Sequence, residues 1–208
     1  MKKSTDLESA LKRFLPESSL DIACELLRKY PHHLTITQPR STKHGDFRAG
    51  MKGQMHEISV NGNLNPYAFL ITLMHELAHL VAHLEFGQRI KPHGEEWKQS
   101  FRLTMRPFIG KDVFPSDIEG PLKRYLVDPG ATTHSDYNLF AALTKYDRRS
   151  DNVHILNELP ANTIFKYGRE RRSFKKGNKL RKRIQCVELS TGSVYLFDPL
   201  AKVQVQTT

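Results

Sequence analysis

Two histidines and a glutamate stand together in the segment His75-Glu76-Leu77-Ala78-His79. In a helix, residues four apart lie on the same face one turn apart, so both imidazoles would point in one direction. Their ring nitrogens could share one zinc ion at about 2.1 Å each. Glu76 would then lie beside that ion, where it can take a proton from a water molecule and pass it on. The segment therefore predicts His75 and His79 as metal ligands and Glu76 as a catalytic acid/base.

This spacing is the one used by zinc metalloproteases, whose catalytic zinc has three protein ligands and one open position. The metzincin class of these enzymes requires glycine and histidine where this chain has Ala82 and Glu85, which excludes that class. His83 lies another turn along the same helix, about 12 Å from His75. Three histidines on one straight helix close a tetrahedral site poorly. We therefore expect His83 to be a surface or packing residue.

His93 is better placed for the third ligand. It follows a loop that contains Gly87 and Pro92, and a second helix begins just after it. A ligand at the start of a returning helix can approach the ion from a second direction. Glu95 and Glu96 remain rival ligands, although acidic residues also favour the first turn of a helix. We take His93 as the predicted third ligand.

Hydrophobic spacing and turn residues predict the elements that must position this site. Asn65 as N-cap and Pro66 at the first helical position begin the helix that carries the motif. Four prolines and three glycines in 107–130 predict irregular structure. The predicted helices are 5–15, 18–30, 65–86, 94–108 and 135–146, and the predicted strands are 33–38, 42–49, 55–60, 163–167, 181–189 and 193–197.

Composition limits the class of protein. The chain has 208 residues, 38% hydrophobic and 26% charged, which is typical of a folded globular protein. It has no run of 18 apolar residues and no secretory signal after its basic first residues, so we expect no membrane partner. Cys24 and Cys186 lie far apart and form no CxxC pair, so we expect neither a disulfide scaffold nor a four-cysteine zinc site. This cysteine usage favours the cytoplasm.

The basic charge is concentrated near the C-terminus. Residues 161–208 contain 11 Lys+Arg and 3 Asp+Glu, a net charge of +8, whereas the preceding residues carry only +2. Such a segment favours a phosphate backbone, although it can also be a solvated surface. Phe165, Tyr167 and Phe174 lie within the basic run and could stack on bases, but core packing is the preferred interpretation. The predicted nucleic-acid contacts are Lys175, Lys176, Lys179, Arg181, Lys182 and Arg183.

The segment His75-Glu76-Leu77-Ala78-His79-Leu80, followed by His93-Gly94-Glu95-Glu96-Trp97, resembles the SprT-like (Spartan-related) metalloprotease family over about residues 20–108. The resemblance implies a small zincin fold, with His75, His79 and His93 on one zinc ion and Glu76 as the catalytic residue. It also implies a link with DNA, because family members degrade proteins crosslinked to DNA. Many members carry a C-terminal zinc ribbon with paired cysteines, whereas Cys186 is the single cysteine of that region here.

We therefore predict an α+β fold, in which a zincin-like core of helices and a short antiparallel sheet precedes a basic β-rich extension. The expected domains are a core at 1–120, a linker with a short helix at 121–160, and the extension at 161–208. The predicted function is zinc-dependent hydrolysis of peptide bonds, in DNA-bound or DNA-crosslinked proteins, in the cytoplasm and in association with the nucleoid.

Two alternatives remain open. One is a nucleic-acid-binding protein with a structural zinc site and no protease activity. The other is a different metallohydrolase, such as a deformylase, whose additional glycine- and cysteine-containing motifs are absent from this sequence. The protein substrate, the cleavage preference, the oxyanion-stabilising residue, the oligomeric state and any requirement for DNA are not determined by the sequence.

Overall fold

The computed structural model describes residues 4–40, 42–51, 53–133, 136–147, 153–168 and 170–205. The chain divides into two compact units, with the division after Asp147. This differs from the expected boundaries at 120 and 160. The helices that follow residue 115 place Ile118, Leu122, Leu139 and Leu143 in the core of the first unit, so this unit extends to Asp147.

The first unit combines helices with one three-stranded sheet, as the α+β prediction requires. β3 is the central strand of the sheet, with β1 parallel to it on one side and β2 antiparallel to it on the other. The predicted short antiparallel sheet is thus found for the β2–β3 pair, whereas β1 lies parallel to β3. The elements are α1 (Ser4–Leu11), α2 (Leu20–Arg28), β1 (His32–Thr37), β2 (Gly45–Arg48), β3 (His56–Asn61), α3 (Pro66–Phe86), α4 (Glu95–Met105), α5 (Ser116–Tyr125) and α6 (Tyr137–Thr144).

α3 is the central helix of this unit, and its ends follow the sequence signals. The side-chain oxygen of Asn65 accepts a hydrogen bond from the backbone N–H of Ala68 at 2.9 Å, and Pro66 occupies the first turn. Gly87 ends the helix at φ 81°, and its N–H donates to the carbonyl of His83. Contrary to the expectation from apolar runs, α3 is long and apolar enough to cross a membrane. However, 61% of the most apolar 18-residue stretch of α3 is buried, as in the core helix of a globular unit.

α4 packs on α3 through the predicted apolar side chains Trp97, Phe101 and Met105, all fully buried. α5 lies in the segment that was expected to be irregular. Its Pro121 removes one backbone hydrogen bond, but burial of its apolar face in the core favours the helix nevertheless. Tertiary packing thus overrides the local signal of proline and glycine.

The second unit is a six-stranded sheet in the order β4-β9-β5-β6-β7-β8, with every neighbouring pair antiparallel. The predicted strands correspond to β5, β7 and β8, whereas β4, β6 and β9 were not predicted. Its core consists of Leu156, Phe165, Phe174, Ile184, Cys186, Phe197 and Val203. The strands are β4 (Val153–Ile155), β5 (Ile164–Tyr167), β6 (Arg172–Lys179), β7 (Ile184–Glu188), β8 (Val194–Phe197) and β9 (Lys202–Val205).

Candidate metal centre

The Nε2 atoms of three histidines converge at one point in the first unit. His75 and His79 project from one face of α3, and His93 approaches them from the segment before α4. The Nε2 atom of His93 lies 3.1 Å from that of His79 and 3.3 Å from that of His75. Within the described part of the chain, this is the one group of three or more potential ligands that could hold a metal ion.

The geometry and chemistry of this group fit a metal ion. Four ligands placed tetrahedrally at about 2.1 Å from an ion are separated by about 3.4 Å, close to the distances between these Nε2 atoms. Burial lowers the pKa of His79 to about 4 and lowers the pKa values of His75 and His93 as well. The imidazoles are therefore neutral near pH 7, which is the form that binds metals.

A tight turn brings His93 to this position. The N–H of Gly94 donates to the carbonyl of Lys91 at 2.8 Å, and His93 itself has φ 56°, in the left-handed region that non-glycine residues rarely adopt. The rival ligands Glu95 and Glu96 do not join the group. The Glu95 carboxylate instead forms an exposed ion pair with Lys98 at 3.1 Å. Among the candidates from the sequence, His93 is the one that the fold brings to the other two histidines.

His83 lies outside the cluster, as predicted. Its ring packs edge-on against His56, with the ring centroids 5.2 Å apart, and against Phe47 at 5.8 Å. Phe47 in turn stacks against His79 at 6.3 Å. His83 therefore supports the wall of the site and is not part of the ligand group.

Glu76 is 7% exposed, and its side chain extends from α3 toward the edge strand β2. Its carboxyl group accepts a hydrogen bond from the backbone N–H of Phe47. A Cβ atom at Gly45 would lie 2.4 Å from Glu76 Oε1, so only glycine permits this approach. Burial, with a smaller contribution from the charge of Asp46, raises the pKa of Glu76 to about 8.

Trp97 forms a wall behind all three histidines. Its ring centroid lies 4.6 Å from those of His75 and His93 and 5.2 Å from that of His79. Phe101 stacks on the indole with the ring centroids 5.2 Å apart. Sequence spacing identified both aromatic residues as core residues but did not indicate their contact with the histidines.

An open cleft of about 540 Å³ gives access to the cluster. Residues 42–47 form one wall, α3 contributes Ile71 and Thr72, and residues 131–133 line a further side. The last segment was missed by sequence reasoning, because no motif marks it and only the packing of α5 and α6 brings it to the cleft.

Buried Asn61 organises the segment that precedes β2, and sequence reasoning missed this residue as well. Its side-chain Nδ2 donates to the carbonyls of Arg40 and Lys43 at 3.1 and 2.9 Å. Its Oδ1 accepts from Arg40 Nε at 2.8 Å. Asn61 thereby fixes the backbone that leads into the cleft wall at Gly45.

The predicted nucleic-acid contacts lie in the second unit and do not share one face. Lys175 is exposed on β6, whereas Lys176 is buried and donates to the carbonyls of Asn157 and Leu159. Burial lowers the pKa of Lys176. The expected alternation of Lys179, Arg181 and Arg183 along one strand does not occur, because β6 ends at Lys179 and β7 begins at Ile184.

The remaining predicted cations are exposed around the turn between β6 and β7, and Arg183 pairs with Asp198 at 3.1 Å. Phe165 and Phe174 are core residues, whereas Tyr167 is 43% exposed. Cys186 is buried and free, as is Cys24 in the first unit.

Fold and site together define a class: an α+β protein whose central helix presents a histidine cluster able to hold a metal ion. Comparison with known proteins agrees with this class. Residues 41–114 match the model of the SprT-like family. No solved structure matches the chain.

Curated relatives match short segments. Protein SprT of Pseudomonas aeruginosa (strain LESB58) is 61% identical over 39 residues, which cover 19% of this chain and 21% of that protein. Protein SprT of Pseudomonas fluorescens (strain SBW25) is 61% identical over 31 residues, 15% of this chain and 19% of the relative. Protein SprT of Pseudomonas putida (strain F1) is 46% identical over 61 residues, which cover 26% of this chain and 37% of that protein. The matched segments thus span well under half of the relatives.

Proposed function

We propose that this protein is a zinc-dependent metalloendopeptidase. The observation that carries the proposal is the convergence of three neutral imidazoles beside the buried carboxyl group of Glu76, at the base of an open cleft. The match of residues 41–114 to the SprT-like family supports a metallopeptidase-like role. Zinc, peptide-bond hydrolysis and the residue roles below belong to the proposal.

The donor set favours zinc among the common metal ions. Calcium and magnesium prefer oxygen ligands, whereas three imidazole nitrogens suit zinc and leave a fourth position open for chemistry. His75, His79 and His93 would hold the ion. Zinc, when bound, supplies a Lewis acid at the end of the cleft where the three Nε2 atoms converge.

Glu76 is the proposed acid/base. Its carboxylate accepts a proton from the attacking water and then delivers it to the nitrogen of the departing amine. The residue must be ionised for this role, and the charge of a divalent cation nearby favours the ionised form over the neutral form that burial favours. The Phe47 N–H and the bare Cα of Gly45 hold the carboxyl group beside the histidines.

The second part of the proposal is that the substrates are DNA-bound proteins. It is supported by the exposed cations around the β6–β7 turn and by the net charge of +8 in residues 148–208. Lys176 is left out of the proposed contacts because its ammonium group is satisfied inside the unit. Association with a nucleoid in the cytoplasm follows from this proposal and remains a prediction.

The test is cleavage of a basic DNA-binding protein by the zinc-loaded full chain, with and without single-stranded DNA. The matched control is Glu76→Gln, which preserves the size of the side chain but removes the base. We expect cleavage by the wild type that EDTA abolishes, and a decrease of at least about 100-fold in the variant. The bound zinc, measured by elemental analysis, should be equal in both proteins.

Each outcome separates the two parts of the proposal. Cleavage that DNA stimulates supports both parts. Cleavage that is independent of DNA supports the peptidase and contradicts the role of the second unit. Absence of cleavage by zinc-loaded protein under every condition contradicts the peptidase and favours the nucleic-acid-binding protein with a structural zinc site.

A further inference from the structure

We propose that Trp97 is a positioning residue, which holds the imidazoles of His75, His79 and His93 in the arrangement that binds metal. The inference rests on the proposed metal site and extends it to a residue that does not touch the ion. Trp97 is fully buried, and its ring is within 5.2 Å of each of the three histidine rings, measured between centroids.

Among the described residues, no protein hydrogen bond orients these histidine rings from their Nδ1 side. In most metal sites, the second ring nitrogen of a ligand histidine donates a hydrogen bond to a carboxylate, a carbonyl or water, which fixes the ring. Within the described residues, the Nδ1 atoms of His75, His79 and His93 have no protein hydrogen-bond partner. Rotation about the last side-chain bond of histidine has a broad energy minimum, so an unsupported ring can swing away from the ligand position.

The indole provides that support by packing. Its ring lies tilted or edge-on to each imidazole, with interplanar angles of 59° for His75, 31° for His79 and 79° for His93. One rigid, flat side chain therefore restricts the rotation of three imidazole rings at once. Phe101 also stacks on the indole, at an interplanar angle of 16°, and contacts His75 at 5.5 Å.

Hydrogen bonding does not account for the presence of tryptophan here. Its Nε1 atom is buried and has no hydrogen-bond partner among the described residues. A buried N–H without an acceptor is unfavourable, and phenylalanine would fill most of the same space without it. The size of the indole, which reaches all three histidines, is the property that phenylalanine lacks.

The test compares zinc affinity in Trp97→Phe and Phe108→Leu. Both variants shrink a fully buried aromatic residue of the first unit, but among the described residues Phe108 has no ring contact with Trp97 or with the three histidines. Zinc dissociation constants are measured by competition with a chromophoric chelator, far below the melting temperatures of the metal-free proteins. We expect a 10- to 100-fold weaker affinity for Trp97→Phe and a change of less than about threefold for Phe108→Leu.

A purely structural role predicts a different result. If the two variants lose zinc affinity equally, or in proportion to their loss of melting temperature without metal, the proposal is overturned. It is also overturned if Trp97→Phe binds zinc as tightly as the wild type.

The wild type itself tests the underlying metal site, because Trp97 is the only tryptophan of the chain. Stoichiometric Co²⁺ should quench its fluorescence, and zinc should reverse the quenching by displacement. If Co²⁺ binds but the fluorescence does not change, the metal lies elsewhere, and the proposed metal site fails together with the role of Trp97. Quenching in the wild type with unaltered zinc affinity in Trp97→Phe overturns the positioning role alone.

Discussion

The proposed acid/base chemistry depends on a contact between two residues, Glu76 and Gly45. The carboxyl group of Glu76 occupies the space that any larger residue at position 45 would fill, with Oε1 2.4 Å from the site of a Cβ atom. A contact this short means that a side chain at position 45 has to displace the carboxyl group. Glu76 is fixed near the three histidines by this fit and by the Phe47 N–H.

Gly45→Ala is therefore expected to reduce kcat/KM by about 100-fold, because a displacement of about 1 Å in a catalytic group can cost that much. Zinc content should not change, since the histidines are untouched. Gly120→Ala is the matched control. A Cβ atom at Gly120 would have only Arg124 Nη1 within 4 Å, at 3.8 Å. Alanine in place of glycine inside α5 should therefore stabilise the protein slightly. Full activity of Gly45→Ala would contradict the positioning of Glu76 described above.

The helix α3 carries two of the proposed ligands and the proposed base, so the way it is anchored decides where they lie. Asn65 joins its first turn to the last turn of α6 and to Asp147 just after it. The side-chain Nδ2 of Asn65 donates to the carbonyl of Leu143 at 2.9 Å and to Asp147 Oδ1 at 2.8 Å, while Oδ1 caps the helix. The last helix of the unit is thereby fixed to the start of the helix that carries the site.

Asn65→Ala should lower the free energy of unfolding of the first unit by about 2–3 kcal/mol, since it removes the cap of α3 and the two hydrogen bonds from Asn65 Nδ2 to Leu143 and Asp147. Urea denaturation followed by the fluorescence of Trp97 measures this unit separately from the second. Asn63→Ala, at an exposed position two residues earlier, should change the free energy by less than about 0.5 kcal/mol. Equal effects of the two substitutions would show that the contacts of Asn65 contribute little.

Charge is distributed unequally over the whole molecule. Residues 148–208 carry 13 Lys+Arg and 5 Asp+Glu, whereas residues 1–147 carry a net charge of only +2. The SprT-like match lies entirely in the nearly neutral unit. Any attraction to nucleic acid is therefore expected to come from the second unit, through its exposed cations.

The combined substitution of Lys179, Arg181 and Lys182 by glutamine tests this expectation. If each cation neutralises one phosphate, the affinity for a single-stranded oligonucleotide should depend less steeply on salt. The plot of log affinity against log salt concentration should become shallower by a slope of about 2. The control combines Lys12→Gln, Arg89→Gln and Lys111→Gln, an equal change in net charge at exposed positions of the first unit. Fluorescence anisotropy over a series of salt concentrations gives both slopes. Identical slopes for the two variants would contradict a DNA contact at the β6–β7 turn.

Several features could be predicted because they depend on neighbouring residues. The Asn65 cap, Pro66 and Gly87 determine the bounds of α3, and a spacing of four places His75 and His79 on one face. The hydrophobic period of α4 identified Trp97 and Phe101 as core residues. In each case the physical cause acts within one or two helical turns, so a single sequence contains it.

Other features depend on residues far apart in the chain, and only the tertiary structure determined them. The sequence favoured His93 over Glu95 as the third ligand, but only the fold brings His93 to His79 and His75, which are 14 and 18 residues away in the chain. α5 forms despite Pro121 because its apolar face is buried by the rest of the unit. Lys176 points inward because the carbonyls that accept its hydrogen bonds lie at positions 157 and 159. Local propensity carries no information about such long-range contacts, whose energies exceed the local preferences that they override.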